Sequence, residues 1–243
     1  MWAGGVVGRG AGLGGKEKGG GGRGRGGARI TARSHPFSPL PTPPPSRPRL
    51  QGGHVLVGAP TGAWQLILIT RGKACPVSRN YLAAVEGAVA DLDALGVEVL
   101  ALTADGRDSA AGFVADVKAA AAGGAGAGGV SGAGGDGSAE LGMKVAYGLG
   151  PDQAGAWGFY LSEGPTMADL GGGGGWAGAS PAAAPPPPIH PEPGVILLTP
   201  DGAVSLVLKS SSAFGWADLR ILVEGIRFMQ EKGYPIRGTY SLE

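Results

Sequence analysis

Two short apolar runs separated by an amphipathic stretch stand out in the hydrophobic pattern of the chain. The runs cover residues 64–70 and 97–102 and are almost uninterrupted, which is typical of strands buried on both faces. Between them, apolar residues recur at helical spacing over 82–95, and Gly96 follows as a stop signal. A weaker helical pattern covers about 109–121. The order strand, helix, strand, helix predicts parallel βαβ units.

A hairpin and a closing helix are predicted near the carboxyl terminus. Apolar runs at 195–198 and 204–208 flank a Thr-Pro-Asp-Gly turn sequence, and an amphipathic stretch covers about 216–232. The intervening segments 143–148 and 156–162 are short, and their pattern leaves strand and loop both open. Parallel units followed by ββα predict an α/β protein with a thioredoxin-like fold.

Glycine and proline limit this predicted core. The chain holds 50 Gly and 20 Pro among 243 residues, a proportion that approaches low-complexity sequence. They concentrate in 1–53 and at about 121–138 and 171–190. We therefore predict a disordered Gly/Arg/Pro-rich tail over 1–53, because such sequence buries too little apolar surface to offset the entropy of ordering. One domain, 54–243, would carry two low-complexity insertions.

The tail is basic and the remainder is acidic. Residues 1–53 contain nine basic side chains and one acidic one, whereas the rest of the chain contains 11 basic and 18 acidic ones. An Arg-rich, acid-poor tail is compatible with a linker, with an organelle transit peptide or with an RNA-binding segment. RNA binding is the least favoured, because no aromatic residues interleave the arginines.

Location follows from the same features. No secretory h-region and no apolar run of about 18 residues is present in the sequence. We expect an intracellular protein, cytoplasmic or, if the tail is a transit peptide, in a chloroplast or mitochondrion, with no membrane partner.

Cys75 is the only cysteine, so the chain forms no intramolecular disulfide, and a reducing compartment is the simpler home. It lies between the first predicted strand and its helix, with Pro76 in a first-turn position. The helix end, together with Arg71, Lys73 and Arg79, favours the nucleophilic thiolate. The alternative is that Cys75 is a small buried apolar residue.

The segment around Cys75 resembles a known family. Residues 71–82 read Arg-Gly-Lys-Ala-Cys-Pro-Val-Ser-Arg-Asn-Tyr-Leu, similar to the Arg-Gly-x-x-Cys-Pro-x-Cys-x-x-Tyr-Leu segment of peroxiredoxin-like proteins of the AhpC/TSA class in the thioredoxin superfamily. Segments 192–202 and 234–239 resemble the same class. The resemblance implies an oxidoreductase whose nucleophile, Cys75, attacks hydroperoxides or disulfides. It implies no bound cofactor and an external reductant such as glutathione or a thioredoxin-type protein.

Three positions depart from the class. Ser78 replaces a second cysteine, so oxidised Cys75 would need an outside thiol. Gly72 and Pro193 stand where peroxiredoxins typically place a Thr and an Arg, and Arg71 is the candidate to replace that Arg. Pro193 also fits the place of the cis-proline of thioredoxins, although a loop proline is the alternative. The candidate site is therefore Cys75, Arg71, Ser78 and Pro193.

Other polar residues give weaker signals. His35, His54 and His190 are isolated in the sequence, which predicts neither a metal site nor a Cys–His pair. Phe214 and Trp216 are interpreted as packing anchors of the last helix. The expected function is a thiol-dependent redox enzyme, and the alternative is a catalytically silent thioredoxin-fold binding module. Nucleic acid is an unlikely partner.

Overall fold

A five-stranded mixed sheet lies at the centre of the protein. The computed structural model describes residues 30–32, 46–50, 52–123, 140–163, 189–237 and 240–242. In chain order its elements are β1 (Ile30–Ala32), β2 (Ser46–Pro48), β3 (His54–Leu56), β4 (Trp64–Thr70), α1 (Pro76–Ala94), β5 (Val97–Thr103), α2 (Arg107–Ala122), β6 (Lys144–Ala146), α3 (Pro151–Ala156), β7 (Leu161–Glu163), β8 (Ile189–Pro191), β9 (Gly194–Leu198), β10 (Val204–Lys209), α4 (Leu219–Lys232) and β11 (Tyr240–Leu242).

The sheet confirms the predicted topology. Its strand order is β10-β9-β4-β5-β6. Strands β4, β5 and β6 are parallel, whereas β9 runs antiparallel to β4 and forms a hairpin with β10. Two βαβ units followed by ββα give the thioredoxin-like arrangement, in which the strand before α1 occupies the middle of the sheet.

Both faces of the sheet are covered, which explains why its inner strands are continuously apolar. Alternate residues of β4 point to opposite sides, since side chains alternate along a strand. Leu66 and Leu68 pack with α1, α2 and α4, while Ile67 and Ile69 pack with β3 and the α3 region.

The predicted boundaries of the core elements are close to those observed. Strand β4 covers the predicted 64–70, and α1 ends just before Gly96, which adopts a positive φ of 66°. Segment 143–148 contains β6. The helix α3 was not predicted, because six residues are too few to display a helical period.

The described structure begins before the predicted domain boundary at residue 53. Strand β2 pairs with β3, and the Leu50 N–H donates to the carbonyl oxygen of Val145 on the sheet edge. Ordering here comes from backbone bonds to a distant strand, which a local apolar pattern does not reveal. Strands β1 and β11 also pair with each other.

Most of the low-complexity sequence lies outside the described residues. This holds for most of the 1–53 tail, for residues 124–139 and for residues 164–188. At the edges of the insertions, α2 continues to Ala122 and β8 begins at Ile189. None of the helices in the described ranges is long and apolar enough to cross a membrane.

We expect α1 to tolerate no loss of volume on its inner face. Leu92 is fully buried in α1, whereas Ile221 on α4 is 66% exposed. Leu92→Ala should lower the free energy of unfolding by about 2–5 kcal/mol, while Ile221→Ala should change it by no more than about 0.5 kcal/mol. Urea unfolding of the two variants checks this, and equal effects would contradict the packing of α1.

Candidate active site

Cys75 is the N-cap residue of α1. Its backbone is extended, with φ −112° and ψ 103°, and its Sγ accepts a hydrogen bond from the Ser78 N–H at 3.4 Å. Pro76 occupies the first turn as predicted, where its missing N–H costs no helical bond. The Cys75 side chain is fully buried. The sulfur therefore lies at the positive end of the helix dipole and away from solvent.

Asp105 holds the loop that leads to Cys75. One oxygen of its carboxylate, Oδ2, accepts from the Lys73 backbone N–H at 2.9 Å and from the Thr103 hydroxyl at 2.7 Å. The other, Oδ1, accepts from the Ser109 hydroxyl at 3.0 Å. The Cys75 N–H also donates to the Gly72 carbonyl oxygen at 3.1 Å, which closes the turn.

Gly72 is required by this turn. Its φ is +80°, a conformation that side-chain-bearing residues adopt at a cost of about 1–2 kcal/mol. A Cβ atom there would overlap the carboxylate of Asp105 and approach Thr103 Oγ1. The absence of the Thr that is typical of peroxiredoxins is therefore coupled to the Asp105 anchor, because a threonine does not fit this loop.

Arg71 is connected to both sides of the site. Its backbone N–H donates to Ser78 Oγ at 3.4 Å, and the Ser78 backbone N–H donates to Cys75 Sγ. Its guanidinium lies 2.8 Å from His190 (Nη2 to Nε2) and 3.8 Å from Glu192 (Nε to Oε2). Arg71, Ser78 and Cys75 are thus connected by hydrogen bonds, and their roles in a reaction stay a prediction.

The pairing of β4 with β9 explains how Glu192 reaches Arg71. Ile69 lies opposite Gly194 in the antiparallel register, so the residues after Ile69 run beside those before Gly194. Glu192 is buried and its Oε1 accepts from the Ser162 hydroxyl at 2.6 Å. A buried carboxylate thereby faces the buried guanidinium.

His190, which is isolated in the sequence, contacts polar side chains in the structure. It is 1% exposed, it contacts Arg71, and its Nε2 lies 3.9 Å from Glu192 Oε1. Burial lowers its pKa, the Arg71 cation lowers it further, and Glu192 opposes the shift. The available signal was the His-x-Glu spacing just before a strand, but only the strand register shows that it meets Arg71.

Pro193 is buried at the start of β9, next to Glu192, and its carbonyl oxygen accepts from the Ser210 N–H at 3.0 Å. Its role at the site stays a prediction. That its preceding peptide bond is cis stays a prediction.

The remaining sequence candidates have different outcomes. The Lys73 side chain lies against Gly112 on α2, and Arg79 Nε donates to the side chain of Asn80 at 3.2 Å. His54 lies exposed on β3, and His35 is outside the described residues. Within the described ranges, no group of three or more His, Cys, Asp or Glu side chains is arranged to hold a metal ion.

Trp216 is a packing anchor, whereas Phe214 is not buried. The Trp216 ring stacks on Tyr81 of α1, with centroids 4.2 Å apart. Burial, and secondarily the charge of Asp218, raises the pKa of the Tyr81 phenol. The predicted anchoring role fails for Phe214, because its side chain is 61% exposed.

Comparison with solved structures identifies the fold. A Cys-to-Ser mutant of peroxiredoxin 6 from Arenicola marina matches with a TM-score of 0.58 and 14% identity, covering 82% of this chain and 74% of that one. The yeast mitochondrial 1-Cys peroxiredoxin matches with a TM-score of 0.54 and 11% identity, covering 81% and 78%. A peroxiredoxin-like protein from Aquifex aeolicus matches with a TM-score of 0.51 and 13% identity, covering 77% and 84%. No family model and no curated protein matches the sequence.

We expect Gly72→Ala to destabilise the Cys75 loop. The positive φ and the overlap with Asp105 should lower the free energy of unfolding by about 1–3 kcal/mol. Gly225→Ala is the matched control, because Gly225 lies in α4 with open space around it, and alanine should stabilise a helix there by about 0.5–1 kcal/mol. Thermal unfolding compares the two, and effects of the same sign would contradict the role of Gly72.

Proposed function

We propose that this chain, which has the thioredoxin-like fold of peroxiredoxins, is a thiol-dependent redox protein that reduces hydroperoxides with Cys75. The observation that carries the proposal is the place of the Cys75 sulfur: it caps a helix at the carboxyl end of the central strand and accepts a backbone N–H from Ser78. A sulfur anion is stabilised by such donors and by the helix dipole. Arg71, whose backbone N–H is bonded to Ser78 Oγ, is the proposed source of positive charge for this anion.

Burial of Cys75 favours a small oxidant. A protein disulfide would have to bring its own sulfur into line with Sγ, which is fully covered. A hydroperoxide needs much less space, so a smaller opening of the site admits it. We therefore favour hydroperoxides over protein disulfides among the two substrate classes that the sequence suggested.

The proposed reaction cycle balances when two equivalents of an external thiol serve as the reductant. The thiolate sulfur attacks the terminal hydroxyl oxygen of ROOH, and the O–O bond breaks. The sulfur keeps this oxygen as a sulfenic acid, and the alkoxide takes a proton from solvent and leaves as ROH. A first outside thiol then condenses with the sulfenic acid, forming a mixed disulfide and water. A second outside thiol attacks this disulfide and restores Cys75.

An external thiol is needed because Ser78 has no sulfur. The yeast mitochondrial 1-Cys peroxiredoxin resolves its oxidised thiol through glutathione and thioredoxin systems. We propose that reductants of these two kinds serve this chain as well.

A catalytically silent binding module is the second candidate. It is favoured by the complete burial of Cys75 and by the absence of a usable hydroxyl before it. Gly72 has no side chain, and the Thr70 hydroxyl donates to the Leu102 carbonyl oxygen at 3.1 Å. The Thr70 hydroxyl proton is therefore already engaged and is not available to donate to a peroxide.

Peroxide consumption distinguishes the two candidates. In the presence of glutathione, the wild-type protein should consume hydrogen peroxide and Cys75→Ser should not, because no other thiol exists in the chain. Mass spectrometry of the wild type should show a sulfenic acid without glutathione and a glutathione adduct with it. Equal background rates and an unmodified thiol would support the silent module.

Ser78→Cys should create an internal resolving group. The backbone nitrogen of residue 78 lies 3.4 Å from Cys75 Sγ, so a thiol at this position is adjacent to the oxidised sulfur. After one equivalent of peroxide we expect an intramolecular disulfide, detected as a mass loss of about two hydrogens. Ser109→Cys, on α2, is the control, and a disulfide in the control but not at position 78 would contradict the site geometry.

A further inference from the structure

The contact between Arg71 and His190 fixes the protonation of the histidine. A guanidinium can only donate hydrogen bonds, and Arg71 Nη2 lies 2.8 Å from His190 Nε2. Nε2 must therefore carry a lone pair, which places the ring proton on Nδ1 and leaves the ring neutral. A protonated His190 would direct an N–H at the N–H of a second cation.

Glu192 forms an ion pair with the same guanidinium, with no hydrogen bond between Arg71 Nε and Glu192 Oε2. Its Oε2 lies 3.8 Å from Arg71 Nε, while its Oε1 is held by the Ser162 hydroxyl. The side chains of Arg71 and Glu192 are 10% and 4% exposed. Because all three groups are desolvated, their interactions are stronger than those of a surface pair.

Two hydrogen bonds connect the Arg71 backbone to the Cys75 sulfur through Ser78. Arg71 is the first residue of the Cys75 loop, and its backbone N–H is bonded to Ser78, whose own N–H caps Cys75. Groups that fix the Arg71 side chain therefore act on the loop from the β9 side of β4, whereas Asp105 acts from the β5 side.

We propose that His190 and Glu192 are positioning residues that hold the Arg71 guanidinium at the Cys75 loop, and that His190 performs this role only as a neutral acceptor. The inference rests on the function proposed above, in which Arg71 stabilises the Cys75 anion. It makes the position of the Arg71 guanidinium depend on the protonation of His190.

The direction of the pH dependence follows from the charges around His190. Among the described residues, the charged groups that act on it are Arg71, from the loop after β4, and Glu192, from the segment between β8 and β9. Ser162 on β7 faces it in the strand register and carries no charge. The pKa of His190 is lowered, so the Arg71 contact is present at neutral pH and is lost when the pH falls through that value.

The kinetic test measures the second-order rate of Cys75 oxidation by hydrogen peroxide from pH 8 down to about pH 3.5, because the pKa of His190 is lowered from its usual value. His190→Gln retains an acceptor oxygen that does not titrate, so dividing the wild-type rate by the His190→Gln rate cancels the titration of the thiol. We expect this ratio to fall at the acid end, where His190 becomes protonated and the Arg71 contact is lost. The exposed His54→Gln is the control, and its ratio to wild type should stay flat.

A second measurement does not depend on activity. Long-range proton–nitrogen NMR reports which ring nitrogen carries the proton, and His190→Gln assigns the signal by its disappearance. We expect the Nδ1–H form of His190 at pH 7. We also expect Arg71→Lys, which cannot reproduce the planar fork, to shift the signal.

The outcomes separate the inference from the function. A flat ratio between wild type and His190→Gln in a protein that reacts with peroxide overturns the positioning role, and so does an Nε2–H or protonated ring at pH 7. If wild-type Cys75 does not react with peroxide, the proposed function fails. An Nδ1–H signal that responds to Arg71→Lys then still supports the contact in which neutral His190 holds the Arg71 guanidinium.

Discussion

The carboxylate of Asp105 accepts three hydrogen bonds at the carboxyl end of β5, and the loop that delivers Cys75 to α1 depends on them. The chain leaves β4 at Thr70 and enters α1 at Pro76, so five residues must reverse direction while their backbone N–H groups find partners. Parallel pairing places Thr70 opposite Thr103, which brings the Asp105 side chain to Lys73. The same anchor excludes a side chain at position 72. The sharp turn and its glycine are therefore two parts of one constraint.

With the loop fixed, the sheet topology determines which groups can approach the sulfur. Strand β9 is antiparallel to β4, so its amino end lies beside the carboxyl end of β4. The residues that precede β9, His190 and Glu192, consequently meet Arg71 from one side, while Asp105 holds the loop from the other. The buried guanidinium is matched by a neutral acceptor and a carboxylate, which offsets the cost of removing its charge from water. The Cys75 thiol is thereby covered within a loop that is held from both sides.

The sequence alone predicted the parts of this site that depend on local pattern. Strand β4, the start of α1 at Pro76 and the capping place of Cys75 follow from an apolar run, a proline and helical spacing. The Arg71–His190 contact joins residues 119 positions apart, and nothing near His190 reveals its partner until the register of β9 against β4 is known. The order of residues 46–50 was missed for a similar reason, because it comes from backbone bonds to the edge of the sheet.

Ser78 shows how one departure from the peroxiredoxin-like pattern can have two consequences. As a serine it provides no resolving sulfur, so in the proposed function oxidised Cys75 is regenerated by a thiol from outside the chain. Its hydroxyl oxygen also accepts the Arg71 backbone N–H while its own N–H caps Cys75. Sulfur is a weaker acceptor than a hydroxyl oxygen, so a cysteine at this position would provide internal resolution and weaken the bond that connects the Arg71 cluster to the helix start. Serine at this position therefore favours the bond to the Arg71 backbone over an internal resolving sulfur.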